Sequence, residues 1–416
     1  MTDTGRRGPA SFALDLRPLR HRPFRRLWGS TVVTAVGGQV SAVAVPVQVY
    51  AMTGSSTMVG LASLAGLVPM AVAALWGGSI ADVVDRRTMM LVTNTGLALT
   101  VLALWVHAAT GNGSVALLMF LVAVQQACYG ANGPARGAAV ARLVPDDLLA
   151  PAVALNTTVM QVGMVAGPLA AGALIPLVGI PALYLVDFVA LALAVLAVAG
   201  LPRLRPLVRP TMRPGAASIG AGLKYIVANT VLVASFLLDI VAMTFGMPRA
   251  IFPELATGFE GVGSGMALGL LFAAIPAGAV LGGLLSGRLV LVRRHGRMLI
   301  GAVVAWGVLI ALAGASHVLW ITLLCLALAG VADLVSAVFR GTILQEAATD
   351  EMRGRIQGVK LVVVAGGPRV ADALHGFAAD LIGPRAAMAL GGVLAVAVLA
   401  VLPRFLRALW SYTPAR

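Results

Sequence analysis

Four aspartates lie inside long apolar stretches of this 416-residue chain, and their side chains are the ones best placed for chemistry. They are Asp187, Asp239, Asp333 and Asp372, and Arg369 lies three residues before the last of them. A carboxylate in the middle of a bilayer costs about 2.5–3.5 kcal/mol on insertion scales, so each one requires a partner or a function. The chemistry that such a group offers is reversible proton binding or the binding of a polar substrate.

The sequence leaves the partner of each carboxylate open. Arg369 and Asp372 face the same side of a helix, and they either neutralise each other or bind substrate. Asp239 is the preferred proton-coupling residue, unless an ion pair with Arg369 makes it structural. Asp187 is either a hydrogen-bonded structural acid or the next candidate for the proton site.

Polar residues also line the first spans. A mildly polar stripe runs from Thr31 to Gln48 in steps of three and four residues, and Gln125 and Gln126 lie in the middle of a later apolar run. Any one of these side chains is explained by interhelical hydrogen bonding, worth about 1 kcal/mol. As a set they favour the lining of a cavity near the membrane midplane.

The elements that position these residues are membrane-spanning helices. The chain is 59% hydrophobic and only 11% charged, against about 25% charged residues in a soluble domain. Residues 29–81 and 88–135 contain no Asp, Glu, Lys or Arg. Because about 20 apolar residues cross a bilayer, each run is long enough for two crossings. Continued along the chain, the pattern predicts twelve spans between residues 27 and 406.

The net charge of +14 follows the membrane topology. Basic residues precede the first span and then occupy every second gap: Arg86 and Arg87, Arg136 and Arg142, Arg203 to Lys224, Arg288 to Arg297, Arg340 to Arg355, and Arg404 to Arg416. The gaps near residues 53–57, 110–114, 176–181 and 317 contain no Lys or Arg. This positive-inside pattern predicts that both termini are cytoplasmic. It accounts for the charge without a nucleic-acid partner.

The chain divides into two similar parts. Arg136-Gly137 recurs as Arg340-Gly341, and Asp146-Asp147 recurs as Asp350-Glu351, both at an offset of 204 residues. The predicted units are a cytoplasmic tail (1–26), a six-helix half (27–201), a Pro- and Arg-rich linker (202–224), a second six-helix half (225–406) and a C-terminal tail (407–416). A substrate path is expected between the two halves.

Enzymatic and metal chemistry is not predicted. The five His are scattered without ligand spacing, and Cys128 and Cys325 lie in apolar runs where they serve as packing residues. No phosphate-binding G-x-x-x-x-G-K-[ST] loop occurs. No cofactor or metal is expected.

Two further motifs combine closely spaced small residues with charges or a proline. The first is Gly78-x-Ile80-Ala81-Asp82-x-x-Asp85-Arg86-Arg87, a charged loop that ends the second span. Asp82 can cap the N-terminus of the eleventh span near Arg355, where the helix dipole is positive; the alternative is that the loop serves only topology. The second is Gly163-x-x-x-Gly167-Pro168-x-x-Ala171-Gly172, whose small residues allow close helix packing and whose proline bends the helix.

These motifs resemble those of the major facilitator superfamily over about residues 20–410. The first resembles the family's G-x-L-A-D-R-x-G-R-R loop, with Val83 and Asp85 as departures, and the resemblance implies a gating role for Gly78, Asp82, Arg86 and Arg87. The second resembles the exporters' G-x-x-x-G-P-x-x-G-G motif, which implies that Gly163, Gly167, Pro168 and Gly172 belong to an exporter.

Residues 239–253, 339–345 and 366–372 resemble the enterobactin-exporter-like branch of that superfamily. The resemblance implies a drug- or siderophore-type exporter driven by the proton gradient. The arginine that is usual in the fourth span is absent, and Gln125 and Gln126 stand there.

The sequence therefore predicts an all-α membrane protein with twelve transmembrane helices in two six-helix pseudo-repeats, the major facilitator fold. We expect a monomer in the inner membrane that exports a small amphipathic molecule in exchange for protons. Its partners are the substrate, protons and the lipid bilayer. The alternative from another class is a transport-incompetent sensor or scaffold subunit of a lipid or siderophore pathway.

Overall fold

The computed structural model describes residues 15–81, 83–204, 216–284, 292 and 294–412, and these residues form helices without any strand. The helices are α1 (Arg22–Thr53), α2 (Ser56–Ala65), α3 (Leu67–Ala81), α4 (Arg86–Ala109), α5 (Val115–Leu143), α6 (Leu149–Ala199), α7 (Ala216–Ala228), α8 (Thr230–Gly246), α9 (Phe252–Thr257), α10 (Ser264–Leu284), α11 (His295–Ala315), α12 (Leu319–Ala347), α13 (Asp350–Ile382), α14 (Pro384–Ala400) and α15 (Pro403–Trp410). Residues 205–215 of the predicted linker lie outside the described ranges, and α7 begins directly after them.

Nine helical segments within the described ranges are long and apolar enough to cross a membrane, which makes the chain a multi-pass membrane protein. The longest is Asp146–Ala199, with 54 residues. It bends at Gly179, whose φ of 74° interrupts the helix between Pro176 and Pro181. At 1.5 Å per residue this segment is about 80 Å long, more than twice the roughly 30 Å hydrocarbon core. It therefore has the length for two crossings.

Local caps fix the turns between helices. Gly54 (φ 62°) ends α1 in the left-handed conformation, and the Ser55 hydroxyl then caps α2 by accepting a hydrogen bond from the Met58 N–H at 3.3 Å. Asp85 caps α4 in the same way, through the Arg87 N–H at 2.8 Å. Below, the end of the bundle that holds the α1–α2 turn is the Ser55 end, and the end that holds the α3–α4 turn is the Asp85 end.

The helices before and after the linker make contact mainly at two crossings. Here α1–α6 are the N-terminal helices and α7–α15 the C-terminal helices. α2 packs against α13, and α6 packs against α10. Glycines allow the backbones to approach: a Cβ on Gly60 would overlap the Asp372 carbonyl, and a Cβ on Gly376 would overlap the Ser56 carbonyl.

Buried apolar side chains show where the two groups of helices join. One large cluster contains residues of both groups, including Val59 of α2 and Ala371 of α13. A second cluster contains only N-terminal residues such as Met90, and a third contains only residues that follow the linker, such as Leu344. Near the Asp85 end, the described buried residues of the two groups therefore form two separate apolar clusters, one in each group.

Candidate functional site

A buried ion pair joins α8 to α12. Asp239 Oδ1 lies 2.5 Å from Arg340 Nη1, and the two side chains are 0% and 5% exposed. Arg340 also donates to the Ser336 hydroxyl at 3.4 Å. Asp333, two turns earlier on α12, interacts electrostatically with both members of the pair. The interpretation that Arg369 is the partner of Asp239 is therefore wrong, because α12 supplies the guanidinium.

Asp372 uses both carboxylate oxygens, but not on Arg369. Its Oδ2 accepts a hydrogen bond from the Ser63 hydroxyl of α2 at 2.5 Å, and its Oδ1 accepts one from the Ala250 N–H at 3.1 Å. Ala250 lies in the 3₁₀ turn Arg249–Ile251, where the helical path between α8 and α9 is interrupted. Asp372 thus satisfies an otherwise unpaired backbone donor and ties α13 to an N-terminal helix. Of the two alternatives that the sequence left open for Arg369 and Asp372, mutual neutralisation in an ion pair is not observed.

Arg369 extends from α13 to the N-terminal helices. Its Nη2 donates to Gln126 Oε1 at 2.7 Å and lies 3.1 Å from Met70 Sδ, and its Nη1 donates to the Ala365 carbonyl at 2.7 Å. The structure thus brings a guanidinium from another helix to the stretch of α5 that lacks its own arginine. Gln125, the residue before Gln126 on α5, is half-buried and makes no side-chain hydrogen bond to the described residues.

Asp187 and Gln48 lie among the N-terminal helices rather than between the two groups. The Ser41 hydroxyl donates to Asp187 Oδ2, while Asp187 Oδ1 is buried without a partner. Gln48 Oε1 accepts a hydrogen bond from the Tyr184 hydroxyl at 2.8 Å, and its Nε2 lies 3.0 Å from His107 Nδ1. The polar face of α1 therefore makes interhelical hydrogen bonds. Gln48 and His107 also line a cavity of about 290 Å³ at the Ser55 end.

Sequence reasoning missed His107, because the histidines show no ligand spacing. The signal that could have found it is its place in an uncharged run, where a buried imidazole needs a hydrogen-bonding partner. No cluster of three or more His, Cys, Asp or Glu side chains suited to a metal occurs in the described part of the chain.

The described part of the α3–α4 loop binds the N-terminal helices. Asp82 lies outside the described residues, and Gly78 lies in the last turn of α3. Arg87 Nη2 donates at 2.5 Å to the last carbonyl of α6, and Arg86 Nη1 lies 3.5 Å from a carbonyl near the end of α5. Asp85 accepts hydrogen bonds from the N-terminus of α4 and from the segment after α6. Cations at helix C-termini are favourable because carbonyls carry partial negative charge there.

The glycine-proline motif of α6 packs that helix on two neighbours. Gly163 and Gly167 face α1, so that a Cβ on Gly163 would lie 2.8 Å from the Ala35 carbonyl oxygen. Gly172 faces α10, where a Cβ would lie 2.5 Å from the Gly265 carbonyl oxygen. Pro168 lies between them, inside the helix. The motif therefore forms one of the two crossings between the N-terminal and C-terminal helices.

Carboxylates of the C-terminal helices close the Ser55 end. Asp380, near the end of α13, accepts hydrogen bonds from the Ser55 hydroxyl at 2.6 Å, the Ser56 N–H at 2.9 Å and the Thr57 N–H at 3.2 Å. The Ser56 hydroxyl donates to Glu254 Oε2 at 2.6 Å. A carboxylate at a helix N-terminus is favoured by the free N–H groups and by the helix dipole. Sequence reasoning assigned no role to either acid.

Comparison with known proteins is consistent with this architecture. The profile of the family described as transmembrane secretion effector matches residues 13–411. The enterobactin exporters EntS of Shigella boydii serotype 18 (strain CDC 3083-94 / BS512) and Escherichia coli O81 (strain ED1a) are each 28% identical over 404 residues, which cover 95% of this chain and 96% of theirs.

Solved transporters share the fold. A bacterial homolog of the human lysosomal transporter Spinster, in an inward-facing and unoccupied conformation, superposes with a TM-score of 0.73 at 15% identity, over 96% of this chain and 100% of that one. The nucleoside transporter NupG gives 0.75 at 12% identity, over 94% and 100%. The named relatives are transporters, which confirms the expectation that this protein is not an enzyme.

Proposed function

We propose that this chain, which belongs to the transmembrane secretion effector family of the major facilitator superfamily, exports a siderophore or a similar amphipathic small molecule by alternating access. The observation that carries the proposal is its end-to-end similarity to enterobactin exporters, with 95% of the chain aligned. The interhelical contacts at the Ser55 end and the buried charges below them suggest how such an exporter works.

The proposed architecture has twelve crossings in two six-helix halves, residues 27–201 and 225–406, joined by the linker. Nine apolar segments support it, since one of them has the length for two crossings. Counting that segment twice gives ten proposed crossings, and the helices α13 and α14 would add the eleventh and twelfth. The first described residues and α15 both lie at the Asp85 end, as an even number of crossings requires.

We assign the Asp85 end to the cytoplasm of a bacterial-type inner membrane, because the basic residues are concentrated in the gaps at that end. A cysteine placed at position 208 of the linker tests this assignment. A membrane-impermeant maleimide should label it only in inverted vesicles. Labelling from the outside of intact cells would overturn the proposed orientation.

In this arrangement the hydrogen bonds of Asp380 and Glu254 join the two groups of helices on the outer side, whereas the two buried clusters near the Asp85 end each contain residues of one group only. We assign this structure to the inward-facing state. Closure of the inner side would then bring Asp82 to the N-terminus of α13, as the loop motif suggests.

Proton coupling is assigned to Asp239. A proton on this buried carboxylate would remove the charge that holds Arg340 at 2.5 Å, and would therefore free a guanidinium to pair with Asp333 or to swing into the substrate path. A change of partner of this kind links protonation to a conformational equilibrium. Asp187 is the next candidate, because one of its oxygens is buried without a partner.

Proteoliposome transport tests the function. Proteoliposomes that contain the purified protein should accumulate at least one member of a panel of siderophores and amphipathic drugs when a pH gradient is imposed. A protonophore should abolish this accumulation. Asp239→Asn should abolish the accumulation while downhill exchange persists. The control is Glu260→Gln, which removes an exposed carboxylate without a described contact, and Asp187→Asn tests the second candidate. Absence of both accumulation and exchange for the whole panel would favour a sensor or scaffold protein.

A further inference from the structure

Seven charged side chains are concentrated where α5, α8, α12 and α13 meet. The basic members are Arg249, Arg340, Lys360 and Arg369, the acidic members are Asp239, Asp333 and Asp372, and electrostatic interactions connect all of them. The cluster has one more cation than carboxylate even when every acid is ionised. Arg340 is neutralised by its ion pair, so the surplus positive charge resides on the remaining cations.

Two of these cations, Arg249 and Arg369, form no ion pair with a carboxylate of the described residues, although both interact electrostatically with Asp372. Arg369 binds only neutral acceptors, on Gln126, Met70 and its own helix. Arg249 is exposed, and its side chain makes no hydrogen bond or ion pair with any residue that the structure describes. Asp372 cannot serve both, because its oxygens already bind a hydroxyl and a backbone N–H. The two guanidiniums are close enough to repel each other.

The unpaired guanidiniums lie deep in the bundle. Arg369 is 13 residues from the end of α13 at Ile382, which is about 20 Å along the helix. Arg249 neighbours Ala250, whose N–H binds Asp372, ten residues or about 15 Å from the same end. Both depths fall within the roughly 30 Å hydrocarbon core. An exposed arginine at this depth faces a wet cavity, and unpaired charge there is costly unless a ligand compensates it.

We infer that Arg249 and Arg369 bind an anionic group of the transported molecule, and that the substrate is an aromatic organic anion. Paired guanidiniums suit the oxygens of a carboxylate or related oxyanion, and their planes also stack on aromatic rings. Tyr129, 56% exposed and one turn beyond Gln126 on α5, adds an aromatic surface next to Arg369. This assignment rests on the proposed export function.

Equilibrium binding to the purified full-length protein in nanodiscs tests the inference without transport. The probes are salicylate and salicylamide, which share a ring and differ in charge. We expect saturable binding of salicylate at least tenfold tighter than that of salicylamide, and a loss of at least tenfold in both Arg249→Gln and Arg369→Gln. Arg369→Lys should retain part of the affinity, since it keeps the charge but not the bidentate geometry.

The control is Arg25→Gln, which removes the same charge from an exposed residue at the Asp85 end and should leave binding unchanged. Arg249→Gln removes no side-chain hydrogen bond or ion pair to a described residue, so it should fold even when Arg369→Gln does not. Equal affinity for the two probes, no saturable binding of salicylate, or wild-type affinity in Arg249→Gln would overturn the inference.

Salicylate binding in a protein that transports nothing would uphold the anion site and reject export. Proton-driven flux of neutral or cationic compounds that is unaffected by both arginine variants would uphold export and reject the anion site.

Discussion

Replacement of Asp380 by Asn isolates the contact that closes the Ser55 end. The amide keeps one acceptor oxygen and loses the charge, so at least one of the three hydrogen bonds to the first turn of α2 is lost. Hydrogen bonds to charged groups contribute about 1.5–3 kcal/mol, and exposure to water reduces that figure. We expect the closed state to lose about 1–2 kcal/mol, which changes the open-to-closed ratio about 5–30-fold.

Pulsed electron–electron double resonance (DEER) measures the distance distribution between two spin labels and therefore the open-to-closed ratio. Asn112 and His317 are exposed in turns at the Ser55 end, one in each group of helices, and the native Cys128 and Cys325 are first changed to Ser. The variant should populate longer distances than the parent. Glu260→Gln removes an equal charge at the same end without a described contact. An unchanged distance distribution in the Asp380 variant would refute the capping argument.

Three further outcomes are expected. Asp82→Asn should lower transport strongly while monodisperse protein is retained on gel filtration, because the sequence pattern places this charge between the second and third predicted spans; transport at the parental rate would leave the motif a topological role only. Arg340→Gln should destabilise by about 3–5 kcal/mol because it strands a buried carboxylate, and adding Asp239→Asn should recover most of the loss in thermal unfolding. Gly172→Val should disrupt the α6–α10 crossing and reduce both stability and transport, whereas Gly137→Val, with open space around its Cα, should have a much smaller effect; equal effects would argue against the crossing.

The sequence anticipated most of the helices but little of their pairing. Uncharged runs predicted the apolar helices because a bilayer excludes charge, and the gap between Pro176 and Pro181 holds the observed bend. Periodicity places a residue on a face of a helix but does not say which helix that face contacts. This is why Asp239 was assigned the wrong candidate partner, although Arg340 had already been noted as a repeat of Arg136.

Asp380 and Glu254 were missed in the sequence analysis for the same physical reason. Asp380 and Glu254 lie near helix ends, where a carboxylate costs little free energy of membrane insertion. A search for charged residues inside the spans therefore does not select them. Their roles depend on the first residues of α2, more than 190 residues away along the chain, where Asp380 binds N–H groups and Glu254 binds the Ser56 hydroxyl. Likewise, the presence of Gln125 and Gln126 where the family has an arginine did not indicate that Arg369 of α13 would donate a hydrogen bond to Gln126.

The antiparallel contact between α2 and α13 can carry a capping interaction at each end, and the two interactions oppose each other. At the Ser55 end Asp380, in the last turn of α13, caps α2. At the Asp85 end the proposed contact has Asp82, which follows α3 in the sequence, capping α13. If a rocking motion that closes one end opens the other, as alternating access requires, only one cap forms at a time. If each contributes about 1–2 kcal/mol, their difference is small. The empty carrier then populates both states, and a proton on Asp239 or an anion at Arg369 needs only a modest difference in affinity between the states to drive the cycle.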